Sequence, residues 1–158
     1  MRTAEHLRYL ILAAQREGNR QLIAQLSHVG LTPAQSEALG LIADHGPLAL
    51  KDLGDMLVCD SGTSPSRIVD RLVTAGLVRR DTGDRDRRQV RLTVTPQGGR
   101  SAALVRDIEN RWYDAIDGAV DAEDAQVLLR VLGTLTQGSP AGGALENRLA
   151  ADQSRGVT

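Results

Sequence analysis

The feature that most constrains the fold is a change of hydrophobic period between residues 63 and 94. Apolar residues in the first half recur at helical spacing, as Ile68, Val69, Leu72 and Val73. Apolar residues in the second half alternate with polar ones, as Val90, Leu92 and Val94. Because side chains alternate between faces on a strand but not on a helix, we predict a helix over 63–75, a stop at Gly76, and strands over 77–81 and 89–94.

Helical spacing returns on both sides of this segment. Further helices are predicted over residues 3–27, from Thr32-Pro33 to about His45, and over 50–58, 96–119 and 122–136. The Gly- and Ala-rich end is predicted to be disordered apart from a weakly helical stretch at 144–151. The predicted fold is mainly α with a small β-hairpin wing, a winged helix-turn-helix domain plus a helical dimerisation region.

The order of these elements also predicts the domain organisation. Residues 1–30 would form the N-terminal helix of the dimerisation region, and residues 31–98 the winged helix-turn-helix domain. Residues 99–137 would supply the C-terminal dimerisation helices, and residues 138–158 a flexible tail. The outer helices carry large apolar faces but lie far in sequence from the winged motif, which is the pattern expected of a dimer.

Charge is concentrated in the middle of the chain. The net charge of the whole chain is −1, but residues 61–100 hold nine basic and four acidic groups, whereas acidic residues prevail on both sides. A basic block between acidic segments is the electrostatic pattern expected of a protein that meets a phosphate backbone. Double-stranded DNA is therefore the predicted partner.

Several classes of protein are excluded by features that the sequence lacks. It has a single cysteine, and therefore no internal disulfide, and no stretch typical of a membrane span or a secretory leader, so we expect a cytoplasmic protein without a membrane partner. Glycine-rich phosphate loops, paired-cysteine metal patterns and G-x-S-x-G are likewise missing. We therefore predict that the chain is not an enzyme and that its sequence requires no cofactor.

The predicted helix 63–75 and the hairpin after it have chemistry suited to the two DNA grooves. An α-helix fits the major groove, and hydroxyl and guanidinium groups bond both phosphates and base edges. At the hairpin tip, "TGDRDRRQVR" interleaves arginines with Asp84 and Asp86. Arginines at such a tip suit the negative potential of a narrow minor groove.

The string "SRIVDRLVTAGLVRRDTGDRDRRQVRLTVTPQG", residues 66–98, resembles the MarR family of bacterial winged helix-turn-helix regulators. It is similar to that family's recognition helix, its "GLV-R" entry to the wing, its D-x-R tip and its "LT-T--G" exit. The wider resemblance covers roughly residues 5–137. It implies that Asp86 and Arg88 take the D-x-R positions, although Gly83-Asp84 stands where wings of this family often begin Asp-Pro.

The resemblance further implies a homodimer that binds a pseudo-palindromic operator and a small aromatic or anionic effector, most often as a repressor. The predicted DNA-binding residues are Ser61, Thr63, Ser64, Ser66, Arg67, Arg71, Arg85, Asp86, Arg87 and Arg88. The predicted dimerisation residues are Leu7, Leu10, Ile11, Leu104, Ile108, Trp112, Leu128 and Leu132.

Alternatives remain open at this level. The winged helix could serve protein contact without DNA binding, and the regulator could respond to a metal such as zinc rather than to an organic ligand. His6, His28 and His45 show no metal-ligand spacing among themselves. Cys59 is interpreted as a small residue that fills a helix junction, with oxidation as the alternative. Packing is the default role for Trp112, and lining an effector pocket the alternative.

Overall fold

A computed structural model describes residues 1–59, 62–82 and 90–155. Its elements, in chain order, are α1 (Thr3–Leu26), α2 (Pro33–His45), β1 (Leu48–Ala49), α3 (Leu50–Met56), α4 (Pro65–Thr74), β2 (Val78–Thr82), β3 (Val90–Val94), α5 (Pro96–Asp117), α6 (Ala122–Thr136) and α7 (Pro140–Arg155). A turn of 3₁₀ helix, Ser27–Val29, separates α1 from α2. The fold is mainly α with a small antiparallel wing, as predicted.

The sheet has one strand more than the sequence analysis predicted. Its order is β1-β3-β2, with Leu48 opposite Leu92 on one side of β3 and Val78 opposite Val94 on the other. Two residues are too few to show an alternating pattern, so β1 was missed. Through β1 the wing is hydrogen-bonded to the chain that enters α3.

The core lies between α2, α3, α4 and the sheet. Leu39, Ile42, Leu53, Leu72 and Leu92 are each 0–1% exposed and bring all of these elements together. Burying a leucine or isoleucine side chain stabilises a fold by about 1.5–3 kcal/mol. This shared core fixes α4 and the wing as one rigid unit.

The end of α4 is tied to the start of α5. Gly76 adopts φ +71°, the left-handed conformation in which glycine ends helices, and the amide of Leu77 donates to the carbonyl of Leu72 (2.9 Å). The hydroxyl of Thr95 donates to the carbonyl of Gly76 (2.7 Å) and accepts from the amide of Gly98 (2.9 Å). A Cβ at Gly98 would overlap the carbonyl of Leu77, so this close approach requires glycine.

Residues 140–155 form α7, which confirms the helical stretch predicted at 144–151. The disorder predicted on either side of that stretch is wrong over residues 140–143 and 152–155. Pro140 begins the helix, and the hydroxyl of Ser139 accepts from the amide of Gly142 (3.0 Å), which caps the first turn. The Gly142-Gly143 pair weakened the helical signal in the sequence, but Gly142 is buried where a Cβ would overlap the carbonyl of Thr136. This close approach to the end of α6 requires glycine at position 142, despite the low helix propensity of glycine.

Candidate nucleic-acid interface

α4 presents a polar face to solvent and an apolar face to the core. Pro65 occupies the first helical position and Ser64 precedes it, so the helix begins two residues later than predicted. Ile68, Val69 and Leu72 are buried on the inner face. The outward face carries the predicted DNA-binding residues Ser64, Ser66, Arg67 and Arg71, all exposed, with Thr63 half-buried just before the helix.

The two arginines of this face lie one turn apart. Arg67 and Arg71 are at i and i+4, and so they project from the same side of α4. Between them, the carboxylate of Asp70 accepts from Arg80 of β2 at 2.6 Å. This pair compensates the one acidic group on the face, so Arg67 and Arg71 dominate its charge. The pairing of Asp70 with Arg80 had not been foreseen from the sequence.

The base of the wing is held together by polar contacts between its strands. The Nε of Arg79 donates both to Asp81 (3.0 Å) and to the hydroxyl of Thr93 (3.0 Å), and that hydroxyl donates to Asp81 (2.6 Å). The hydrogen bond from Thr93, followed by that from Arg79, holds the pKa of Asp81 below its usual range. These hydrogen bonds between the strands stabilise the base of the wing, from which the predicted Arg-rich tip extends in sequence.

Five of the predicted DNA-binding residues lie outside the described residues. They are Ser61, Arg85, Asp86, Arg87 and Arg88. The described parts of the two strands pair up to Thr82 opposite Val90. The roles of these five residues in DNA binding stay predictions.

The segment between α3 and α4 is fixed by a buried carboxylate of α2. Glu37, 9% exposed, accepts from the amides of Val58 (3.0 Å) and Cys59 (2.8 Å). Cys59 as a whole residue is exposed, yet desolvation of its thiol and the negative charge of Glu37 raise its pKa to about 12. A neutral thiol at this junction agrees with a structural role for Cys59. Glu37 itself was missed by the sequence analysis because its partners lie more than twenty residues away.

Most of the predicted dimerisation residues lie on the surface of the single chain. The exposed ones are Leu7, Leu10, Ile11, Leu104, Leu128 and Leu132. Ile108 is an exception, because its side chain is 7% exposed and belongs to the chain's own core. Trp112 is half-buried against α1, where a Cβ at Gly18 would lie 2.9 Å from its ring. Trp112 therefore packs within the chain, and its predicted part in a dimer stays a prediction.

No group of three or more His, Cys, Asp or Glu side chains in the described part of the chain is arranged to hold a metal ion. The imidazole of His45, only 8% exposed, lies 3.1 Å from the carboxylate of Asp152 on α7. Over the same described residues, none of the helices has the length and apolar character needed to cross a membrane.

A polar helix on a rigid core, next to an arginine-rich antiparallel wing, defines a winged-helix DNA-binding protein. The sequence profile of the MarR family matches residues 29–89. The chain is 32% identical over 98 residues to the organic hydroperoxide resistance transcriptional regulator of Bacillus subtilis, covering 62% of this chain and 66% of that protein. It is 30% identical over 112 residues to the HTH-type transcriptional regulator FarR of Neisseria gonorrhoeae, covering 71% and 76%.

Solved structures with the same fold are likewise those of transcriptional regulators. A MarR mutant from E. coli complexed with operator DNA superposes with a TM-score of 0.71 at 25% identity, over 82% of this chain and 92% of that one. The organohalide-sensing regulator RdhR-CbdbA1625, solved in its 2,4-dichlorophenol-bound form, superposes with a TM-score of 0.75 at 20% identity, over 89% and 83%. The chain belongs to the MarR family. It is a DNA-binding transcriptional regulator and not an enzyme.

Proposed function

We propose that the chain is a ligand-responsive repressor that binds a pseudo-palindromic operator as a homodimer in the cytoplasm. The observation that carries this proposal is that α4 holds an exposed, arginine-bearing face beside the antiparallel wing, while the described residues of α1 and α6 leave large apolar side chains exposed. Two such units related by a two-fold axis would read half-sites about one helical turn apart.

The support for a homodimer comes from α1 and α6. Of the 24 residues of α1, all of them described, Leu26 alone is buried, and none of the fifteen described residues of α6 is buried. On α6, the exposed side chains are Val127, Leu128, Leu129, Leu132 and Leu135. An apolar surface this continuous marks an interface, and a second copy of the chain supplies a complementary surface by symmetry.

The dimer is tested by Leu128→Glu, with Leu145→Glu as its control. Both leucines are exposed to a similar extent, 48% and 45%, but Leu145 lies on α7. In a two-fold interface each substitution is present twice, so losing Leu128 should raise the dimer dissociation constant by about a hundredfold or more. Sedimentation equilibrium measures this constant, and a wild-type chain that stays monomeric at micromolar concentration would contradict the proposal.

The proposed operator contacts are divided between α4 and the wing. Arg67, Arg71 and the hydroxyls near the start of α4 would meet the major groove and its phosphates, and the wing arginines would enter the minor groove. The relative solved with operator DNA supports this assignment, because the chain matches it over most of its length. Selection from a randomised duplex library, followed by fluorescence anisotropy against random competitor, tests sequence preference directly.

The support for a ligand response is a cavity of about 380 Å³ where the end of α1 meets α5. Leu104 and Ile108 give it an apolar lining. His28, Asp107 and Arg111 also line it, so that His28 and Arg111 could meet an anion beside the carboxylate of Asp107. Its volume suits a small aromatic molecule, and one structural relative was solved with 2,4-dichlorophenol. A ligand that favours a dimer geometry unable to span both half-sites would lower DNA affinity.

The ligand response is tested by adding phenols and aromatic carboxylates to the preformed protein–operator complex. A hit should release the labelled duplex, and Arg111→Gln should shift the dose–response to higher concentration for carboxylates but not for uncharged phenols. A response to added zinc, with none to any organic compound, would favour the metal-responsive alternative.

A further inference from the structure

α7 lies against α2 and α3 with one face. Ala144 is 8% exposed, and Ala151, two turns further on, packs against the edge of the hydrophobic core. The side-chain amide of Asn147 donates to the backbone carbonyl of Asp55 at 2.9 Å. These contacts join the last helix of the chain to the element that directly precedes the recognition helix.

The same face of α7 makes three polar contacts to α2. Arg148 lies 3.2 Å from Glu37, and Asp152 lies 3.1 Å from the imidazole of His45. A turn later, Arg155 lies 3.5 Å from Asp44, which also accepts from Arg106 of α5 at 2.6 Å. The spacing of these α7 residues, i, i+4 and i+7, keeps all of them on one side of the helix.

The contact between Arg148 and Glu37 reaches furthest towards the DNA-binding face. The side chain of Glu37 is 7% exposed, and its two oxygens hold the amides of Val58 and Cys59, just ahead of α4. A buried carboxylate is stable only where hydrogen bonds and an opposite charge compensate its desolvation. The amides provide the hydrogen bonds, and Arg148 provides the charge.

A second carboxylate, that of Glu109 on α5, adds to the need for the positive charge of Arg148. Burial raises the pKa of Glu109, and the negative charge of Glu37 adds to that effect, while Arg148 opposes it. Glu37, Glu109 and Arg148 line one small cavity together with Arg106, so Arg148 lies near both carboxylates. Without Arg148, the buried carboxylate of Glu37 loses its ion-pair partner, and the hold of Glu37 on the segment ahead of α4 weakens.

We propose that α7 is a strap that positions the recognition helix, with Arg148 acting through Glu37 on the segment that leads into α4. Arg148 and Glu37 are positioning residues and touch no DNA. The proposal deepens the DNA-binding function by assigning a part in it to a helix remote from the winged motif, and it rests on that function only for its effect on DNA affinity.

The first test needs no DNA. Hydrogen exchange of the backbone amides is followed by NMR in the wild type, Arg148→Ala and Arg148→Lys. In Arg148→Ala the protection of the Val58 and Cys59 amides should fall roughly tenfold, because their acceptor loses its compensating charge. Arg148→Lys, which keeps the charge, should restore most of it. Unchanged protection at both amides in Arg148→Ala would overturn the proposal.

The second test measures affinity for the duplex that the wild type selects from the randomised library. Arg148→Ala should weaken binding to this duplex by roughly five- to tenfold and leave binding to random duplex within about twofold of the control. Arg130→Ala is the charge-matched control on the exposed surface of α6, and sedimentation equilibrium first establishes that it dimerises as the wild type does. Equal losses for Arg148→Ala and Arg130→Ala would mean a general charge effect and would contradict the strap.

A double-mutant cycle shows whether Arg148 works through Glu37. Glu37→Gln keeps one acceptor oxygen but removes the charge that Arg148 compensates. If the two residues act as one unit, Arg148→Ala should have little further effect in the Glu37→Gln background. Additive losses would refute the route through Glu37. A wild type that selects no sequence would count against the proposed function, while the exchange measurement would still decide on the strap.

Discussion

Arg67 and Arg71 carry the positive charge on the exposed face of α4. If Arg71 contacts a phosphate, Arg71→Ala should change the salt dependence of DNA binding by a predictable amount. Each phosphate contact on B-DNA contributes about 0.9 to the slope of log K against log salt concentration. A two-fold dimer carries every contact twice, so the substitution should make the slope shallower by about 1.8. Between 50 and 200 mM salt, the wild type should then lose about tenfold more affinity than the variant.

Fluorescence anisotropy with the selected duplex, repeated across that salt range, measures both slopes. Arg71 is exposed and its removal uncovers no buried partner, so thermal unfolding of the variant should match that of the wild type. Arg130→Ala again serves as the control with the same change in net charge, and its slope should equal that of the wild type.

The size of the change distinguishes between interpretations. A slope unchanged by Arg71→Ala would refute a phosphate contact by this residue. A change of about 0.9 would mean that one protomer of the pair meets the backbone, against the two-fold arrangement. If Arg130→Ala gave the same change as Arg71→Ala, the slope would report net charge and not a contact made by α4.

Three further predictions follow from local geometry. Gly98→Ala should destabilise the fold by about 1–3 kcal/mol in urea denaturation, because its Cβ would overlap a backbone carbonyl, whereas Gly99→Ala, with open space around it, should not. Asp70→Asn should tighten binding to random duplex at low salt, since Arg80 loses its carboxylate partner; weaker binding would show that the pair is needed to shape the face. The pKa of about 12 keeps the Cys59 thiol protonated at pH 8. Iodoacetamide should therefore react with Cys59 roughly a thousandfold more slowly than with an ordinary thiol. An alkylation rate that levels off near pH 9 would refute the raised pKa.

The sequence was sufficient for elements whose signal is local. The helical spacing of Ile68, Val69 and Leu72 predicted both the existence of α4 and its buried side. Gly76 predicted its end, because few residues other than glycine adopt positive φ readily. The exposed Arg67 and Arg71 followed from the same helical period, since residues four apart share a face.

What the sequence could not supply depends on contacts between distant segments. Arg148 and Glu37 are separated by 111 positions, and neither has a local pattern that marks it as half of a pair. β1 was missed because it is defined by its pairing with the distant β3. Only the middle of α7 was predicted, because its two glycines suggested a flexible tail. Ile108 was assigned to the dimer surface, although its side chain faces the core of its own chain. Helical spacing shows that a residue lies on an apolar face, but not whether that face packs against the same chain or a second one.

The length of α5 has a mechanical consequence. Its 22 residues span about 33 Å, from the contact of Gly98 with the entry to β2 up to Trp112 and beyond, against α1. Such a rod acts as a lever between the outer helices and the wing. A tilt of only ~5° at one end displaces the other by ~3 Å, close to the rise of one base pair. Under the proposed ligand response, a small molecule that wedges the far end of α5 by a fraction of its own width would therefore move a wing out of register with its groove.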